Sequence, residues 1–216
     1  MARYRGPRLK IVRRLGELPG LTRKVISTKT ERQSQDKNTG LQKKNQKGST
    51  FKIRLCEKQK LRYNYGIAES QLRKYVIEAR RRKGLTGFLL LQLLEMRVDN
   101  IIYRLGLVPT IPAARQFITH GHVLINKRRV NIPSFQCQPN DFITFSTRPE
   151  IIQLLKSNLD QSNSTAETFE NKEISNQHLE FDPKSLTVKI KDLVNRNDVS
   201  LQINDMLVIE YYSRLA

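Results

Sequence analysis

The chain has little from which to build a metal centre, a disulfide framework or a membrane anchor. Of its 216 residues two are cysteine and three are histidine. Cys56 and Cys137 lie far apart with no C-x-x-C pair, whereas a structural zinc site needs four ligands at close spacing. They read as buried thiols, with a disulfide as the alternative. His178 has no partner pattern and reads as a surface or capping residue. No apolar run is long enough to span a bilayer, and the N-terminus lacks the apolar core of a signal peptide. An amphipathic anchor would set its cations opposite a broad apolar face, but here Gly6 and Pro7 interrupt them. There is no Gly-rich phosphate loop and no Ser/His/Asp set. Acidic residues are scarce too: 20 Asp and Glu stand against 39 Lys and Arg, a net charge of +19. That excess calls for a polyanionic partner, and nucleic acid fits best.

The charge is unevenly spread. Residues 1–60 hold 18 basic and 4 acidic side chains, 61–97 hold 8 and 3, 98–150 hold 6 and 3, and 151–216 hold 7 and 10. The N-terminal part is therefore the main electrostatic contact, and the C-terminal part is not.

The stretch Arg97–Phe145 organises the rest. Val98, Ile101, Ile102 and Leu105 form one apolar helix face, ended by Gly106. Thr110 caps a second helix that tolerates Pro112 in its first turn, buries Ile111, Ala114 and Ile118, and ends at Gly121. The period then changes to that of short strands at 123–125, 128–130 and 142–145, with tight turns at Asn126-Lys127 and Pro139-Asn140. Arg104 and Arg115 lie off the apolar faces of the two helices, Lys127, Arg128 and Arg129 crown the hairpin, and His120 and His122 flank the corner. Such a surface suits the phosphates of a folded RNA.

Upstream, Arg3, Tyr4, Arg5, Arg8, Lys10, Arg13 and Arg14 read as an arm too poor in apolar residues to fold alone, ordered on RNA by phosphate bridges and by Tyr4 stacking. Residues 21–50 read as a polar linker whose phosphate candidates are Lys43, Lys44 and Lys47. Three helices follow: a basic one over 53–64, one over 69–83 with Leu72, Tyr75, Val76 and Ala79 opposite Arg73, Lys74, Arg80, Arg81 and Arg82, and one over 88–96 capped by Thr86. The third is expected to end there or to bend on into the Val98 helix. Residues 186–190 suggest a strand, and 205–212 a helix capped by Asn204 or, alternatively, a strand.

R-x-D-N-x-x-Y-R-L-G, A-R-Q-x-I-x-H-G-H-V-x-I-N, V-x-x-P-S and D-x-I, in that order, closely resemble the small RNA-binding module called the S-four domain. K-Q-K-L-R-x-x-Y-G-I-x-E-x-Q-L-R-x-Y at 58–75 and G-L-T-G-x-x-L-L-x-L-L-E-x-R-x-D-N at 84–100 are similar to the small-subunit ribosomal protein S-four family. The opening A-R-Y-R-G-P-R, H-L-x-F-D at 178–182 and I-N-D-M-L-V-I-E-Y-Y-S-R at 203–214 resemble its plastid branch.

The resemblance implies an α+β fold: a mainly helical N-terminal rRNA-binding domain plus an S-four domain of two helices on a small antiparallel sheet. Expected boundaries are a basic extended arm and linker at 1–50, helices at 51–96 onto which 203–216 packs back, the S-four domain at 97–160, a variable acidic surface loop at 156–176 and an extension at 177–202. It implies a primary rRNA binder, not an enzyme, that nucleates small-subunit assembly at a multi-helix junction of the 5′ domain. It also implies a place beside two neighbouring ribosomal proteins where mRNA enters, with an effect on accuracy. The expected contacts are the cations already named, with Arg54, Lys58, Arg62 and Gln116; no metal or cofactor is implied. A free S-four-domain stress factor or RNA chaperone is the rival. With the family motif starting at Ala2 and no transit peptide before it, the plastid stroma is expected as an organelle-encoded product, with a bacterial cytoplasm second.

Overall fold

The computed structural model describes residues 4, 6–24, 50–168, 178–183, 185–199 and 201–213. The first element corrects the expectation of an extended arm: α1 (Arg8–Leu15) is a helix. Ile11, Val12 and Leu15 bury one side of it, and with Leu18 and Leu21 they close a small cluster against Cys56 and Tyr63. These apolar residues are too few for a core of their own, but they suffice to cover a neighbouring helix.

That neighbour is α2 (Thr50–Asn64), followed by α3 (Glu69–Arg81) and α4 (Thr86–Glu95). Thr86 is the first helical residue of α4 rather than its cap; Leu85 holds the cap position and offers no side-chain bond. The chain's last helix, α8 (Asp205–Ser213), lies on α2 and α4. Leu61, Leu72, Val76, Leu90, Leu94 and Val208 fill the core these helices share. Asn204 Oδ1 accepts from Leu207 N at 3.4 Å, and Tyr212 Oη donates to Glu69 at 2.7 Å, fixing both ends of α8.

α4 does not bend on into the next helix. Arg97 is extended and bridges Gln136, while Cys137 N donates to Met96 O at 2.9 Å and Val98 N to Phe135 O at 3.0 Å. The strand-like bonds on either side of Arg97 use the backbone groups that a continuous helix would need. α5 (Val98–Arg104) and α6 (Ile111–Thr119) follow, and Thr110 Oγ1 accepts from Ala113 N at 3.4 Å as an N-cap does.

The sheet is larger than expected. β1 (Val123–Ile125), β2 (Arg128–Val130) and β3 (Phe142–Phe145) are joined by β4 (Leu179–Asp182) and β5 (Thr187–Ile190) in the antiparallel order β2-β1-β3-β5-β4. Val123, Ile125, Ile143, Val188 and Ile190 point inward onto Val98, Ile101, Ile102, Ala114 and Ile118. Cys137 is part of this core, and burial pushes its thiol up to about 12. The expected acidic loop begins as helix: α7 (Pro149–Thr168) seats Leu155 in the same core, and Asn158 Nδ2 donates to Leu107 O at 2.9 Å. The remainder of that loop lies outside the described residues.

Candidate nucleic-acid interface

Two buried polar networks decide which cations remain for a partner. Glu95 lies at the end of α4, 3% exposed. Arg104 donates to it from Nη2 at 2.6 Å and from Nε at 2.9 Å, and Tyr65 and Asn100 donate to it as well. Arg104 also reaches the Asp198 carbonyl. Burial first, then the Glu95 charge, holds the Tyr65 hydroxyl far above its ordinary range, so it remains a donor. In the second network Arg97 makes a bidentate pair with Asp99, at 3.0 and 2.7 Å, and reaches Tyr75 Oη at 2.7 Å. Arg115 Nε donates to the same Asp99 at 2.9 Å, and its Nη2 to Tyr65 O at 2.9 Å, with Gly66 O as a third acceptor.

These bonds correct the expected site. Arg104 is internal, with all its charge directed at Glu95 and a carbonyl. Arg54 is ion-paired to Glu210 of α8, and Lys58 to Glu69 at 3.0 Å; both cations are buried, and the two carboxylates are partly exposed. The signal was in the helical spacing. Arg54, Lys58 and Leu61 stand at i, i+4 and i+7, so they share the inward face of α2. Arg115 ties α6 to the turn after α2 and presents only part of itself outward. Arg3, Arg5, Lys43, Lys44 and Lys47 lie outside the described residues.

Most of the remaining expected cations fall on three surfaces. On α1, Arg8, Lys10, Arg13 and Arg14 are exposed. On α3, Arg73, Lys74, Arg80 and Arg81 are exposed, with Arg82 held by Glu78 at 3.2 Å. At the corner after α6, Gln116, His120, Lys127, Arg128 and Arg129 are exposed and His122 is half-buried. Arg129 Nη2 donates to His120 O at 3.1 Å, and the two histidine rings lie 6.0 Å apart. Partial burial, then Arg148, His120 and Arg129, lowers the affinity of His122 for its proton. Arg148 is exposed beside this group and was not anticipated; it follows β3 with no motif to mark it. Asn126 and Lys127 both adopt positive φ, 49° and 66°, which is the twist-compatible two-residue hairpin turn and lifts Lys127 clear of the sheet.

Between the α1 and α6 surfaces runs a groove of ≈ 660 Å³. Arg8, Leu21, Arg62, Tyr63, Gly66, Ile67, Thr110, Pro112, Arg115, Gln116 and Tyr4 line it. Beside its lining residues Leu21 and Thr110, Gly20 N donates to Asn64 Oδ1 at 3.0 Å and Gly20 O accepts from Ile111 N at 2.9 Å. A Cβ at Gly20 would come within 2.6 Å of the Asn64 carbonyl oxygen, so this approach requires glycine. The groove thus joins the helical part to the α6 surface through backbone that cannot slide.

An arrangement of fixed helices, exposed cations and a groove can accommodate a folded polyanion by shape and charge. Residues 3–95 match the ribosomal protein S4/S9 N-terminal domain, and residues 96–143 match the S4 domain. The chain is similar to "Small ribosomal subunit protein uS4c" of Chaetosphaeridium globosum, at 53% identity over 217 residues covering 100% of both chains. It is 50% identical to "Small ribosomal subunit protein uS4" of Picosynechococcus over 216 residues, again 100% of both. The protein of the same name from Thermosynechococcus vestitus is 51% identical over 216 residues, covering 99% of each. The chain, with its α+β fold, belongs to the small ribosomal subunit protein uS4 family.

Proposed function

We propose that the protein binds small-subunit rRNA directly, at a multi-helix junction of the 5′ domain, and nucleates subunit assembly there. One observation carries this reading: residues of both domains line one groove with Arg8, Arg62 and Arg115 on it, and further exposed cations stand on α1, on α3 and at the corner after α6. A junction offers several A-form backbones at fixed angles, and cationic surfaces on two rigidly joined domains can contact more than one of them. The bonds of Arg115 to the Tyr65 and Gly66 carbonyls, and those of Gly20 to Asn64 and Ile111, hold that angle. Neighbouring small-subunit proteins complete the site where mRNA enters, and the contact with one of them tunes accuracy. Within this reading the protein works in a plastid ribosome. Support comes from the relatives named uS4c in Chaetosphaeridium globosum and Chlorokybus atmophyticus, alongside cyanobacterial uS4.

The test is sucrose-gradient fractionation of native extract in high salt, with the protein located by antibody. The expected result is retention in the small-subunit peak. Release into the soluble fractions would overturn the reading and favour a transient RNA-binding factor.

A further inference from the structure

The groove between α1 and α6 has features that a track for a continuous RNA backbone does not need. Its volume, ≈ 660 Å³, falls in the range of small-ligand pockets. Two aromatic rings stand at it: Tyr4, 43% exposed, meets Tyr63 edge-on with ring centroids 5.5 Å apart. The Arg62 guanidinium lies 5.1 Å from the centre of the Tyr63 ring, which fixes that ring from another side. Arg62 Nε is buried and donates to no acceptor; the nearest carboxylate oxygen, of Glu69, is 3.9 Å away. Arg8 spends one donor on Leu21 O at 3.4 Å and keeps the rest of its guanidinium outward. Gln116, exposed at the opposite wall, has both a donor and an acceptor to offer. A phosphate track alone would require cations but neither an exposed ring nor an amide facing it.

We infer that this groove receives a single unpaired nucleotide extruded from the RNA, its base beside Tyr4, its edge bonded by Gln116 and its phosphate held by Arg8 and Arg62. The inference rests on the rRNA-binding reading and adds a base-specific element to it. Unstacked bases are what aromatic side chains and amides can read in RNA, because paired A-form helices hide their base edges in a deep, narrow groove. The entropic cost of ordering the extruded nucleotide is lowered by walls held together by the bonds of Gly20 to Asn64 and to Ile111 and of Arg115 to the Tyr65 and Gly66 carbonyls.

The experiment uses the full chain and a transcript of the small-subunit rRNA 5′ domain with 4-thiouridine in place of uridine. The complex is irradiated and the adducts are mapped by mass spectrometry. A nucleoside adduct on Tyr4, Tyr63 or Gln116 is expected, and the same uridine is then made abasic. Wild-type protein is expected to lose about 5- to 100-fold in affinity for the abasic RNA, the range of one base–aromatic stack. Tyr4→Ala should bind intact and abasic RNA about equally and Gln116→Ala should lose only part of the discrimination, both with the salt dependence of wild type; Tyr4→Phe should keep the discrimination. Adducts confined to the lysine and arginine surfaces, or affinity within twofold on removing the base, would overturn the nucleotide pocket while leaving rRNA binding in place. Failure of the wild type to hold the intact transcript would overturn both.

Discussion

At the scale of the residue, the question for each cation is whether the fold has already used its charge. Arg104 is the extreme case: 7% exposed, bonded twice to Glu95 and once to a carbonyl. Arg104→Leu should leave the Glu95 carboxylate buried with only Tyr65 and Asn100 as donors, and destabilise the protein by about 3–5 kcal/mol. Urea unfolding followed by circular dichroism checks this; a change under 1 kcal/mol, within the range of a surface pair, would mean the network is hydrated. His122 is opposite in kind, half-exposed among cations that depress its proton affinity. In the free protein its charge is lost before pH rises to the ordinary histidine value of 6.5. Bound phosphates would reverse the sign of the surrounding field, so binding should take up a proton and RNA affinity should rise as pH falls from about 7 to about 5.5. His122→Gln should flatten that rise in a filter-binding titration. Sequence could place His122 at the corner because its neighbours follow a long ordered motif. It could not separate Arg104 from Arg128, since the acceptor that captures Arg104 sits on another helix nine residues earlier.

At the scale of the element, what was legible followed periodicity, and what was not depended on a distant partner. The helices around Leu72, Leu90 and Ile101 carry their own apolar faces, and the hairpin announces itself by Asn126-Lys127. α1 did not, because its three buried residues have meaning only against Cys56 and Tyr63 of α2. β4 was hidden for the same reason: a four-residue strand at the sheet edge is defined by pairing to β5, with Glu180 and Asp182 facing out. The seat of α1 can be tested through Gly20. Gly20→Ala puts a carbon against the Asn64 backbone carbonyl, which cannot give locally, and against the Cδ1 end of the buried Ile111 side chain. A loss of about 1–3 kcal/mol is expected, with amide exchange rising in α1 and at Ile111 but not in β1–β3. Uniform exchange across both domains would show that the Gly20 contact is not a local hinge. The hairpin offers the reverse case. Lys127 sits at φ 66°, where a side chain costs roughly 1 kcal/mol relative to glycine. Lys127→Gly should therefore raise stability by about that amount while weakening RNA binding, separating the cation's role from the turn's.

At the scale of the whole molecule, the 39 basic residues overstate the cations a partner meets, because Arg54, Lys58, Arg97 and Arg104 are ion-paired within the fold. The uneven spread survives this correction. Exposed Lys10, Arg13 and Arg14 stand on α1, whereas α7 carries Lys156 in a segment with Asp160 one turn away. If affinity comes from counterions released at the α1 side, each phosphate contact contributes about 0.9 to the slope of log affinity against log salt on a duplex. A protein making roughly six to ten such contacts loses about 10³- to 10⁵-fold in affinity between 50 and 200 mM salt. Arg13→Gln with Arg14→Gln should reduce the magnitude of the slope by nearly two, measured by filter binding to the 5′-domain transcript over a potassium chloride series. Lys156→Gln, which removes one positive charge from the acidic helix, should leave the slope unchanged rather than reduce it by about 0.9. If both variants shift the slope in proportion to the charge removed, then net charge governs binding and the orientation assigned to the groove is wrong. If only the α1 pair does, the RNA lies against the surface that the folding of the N-terminal segment creates.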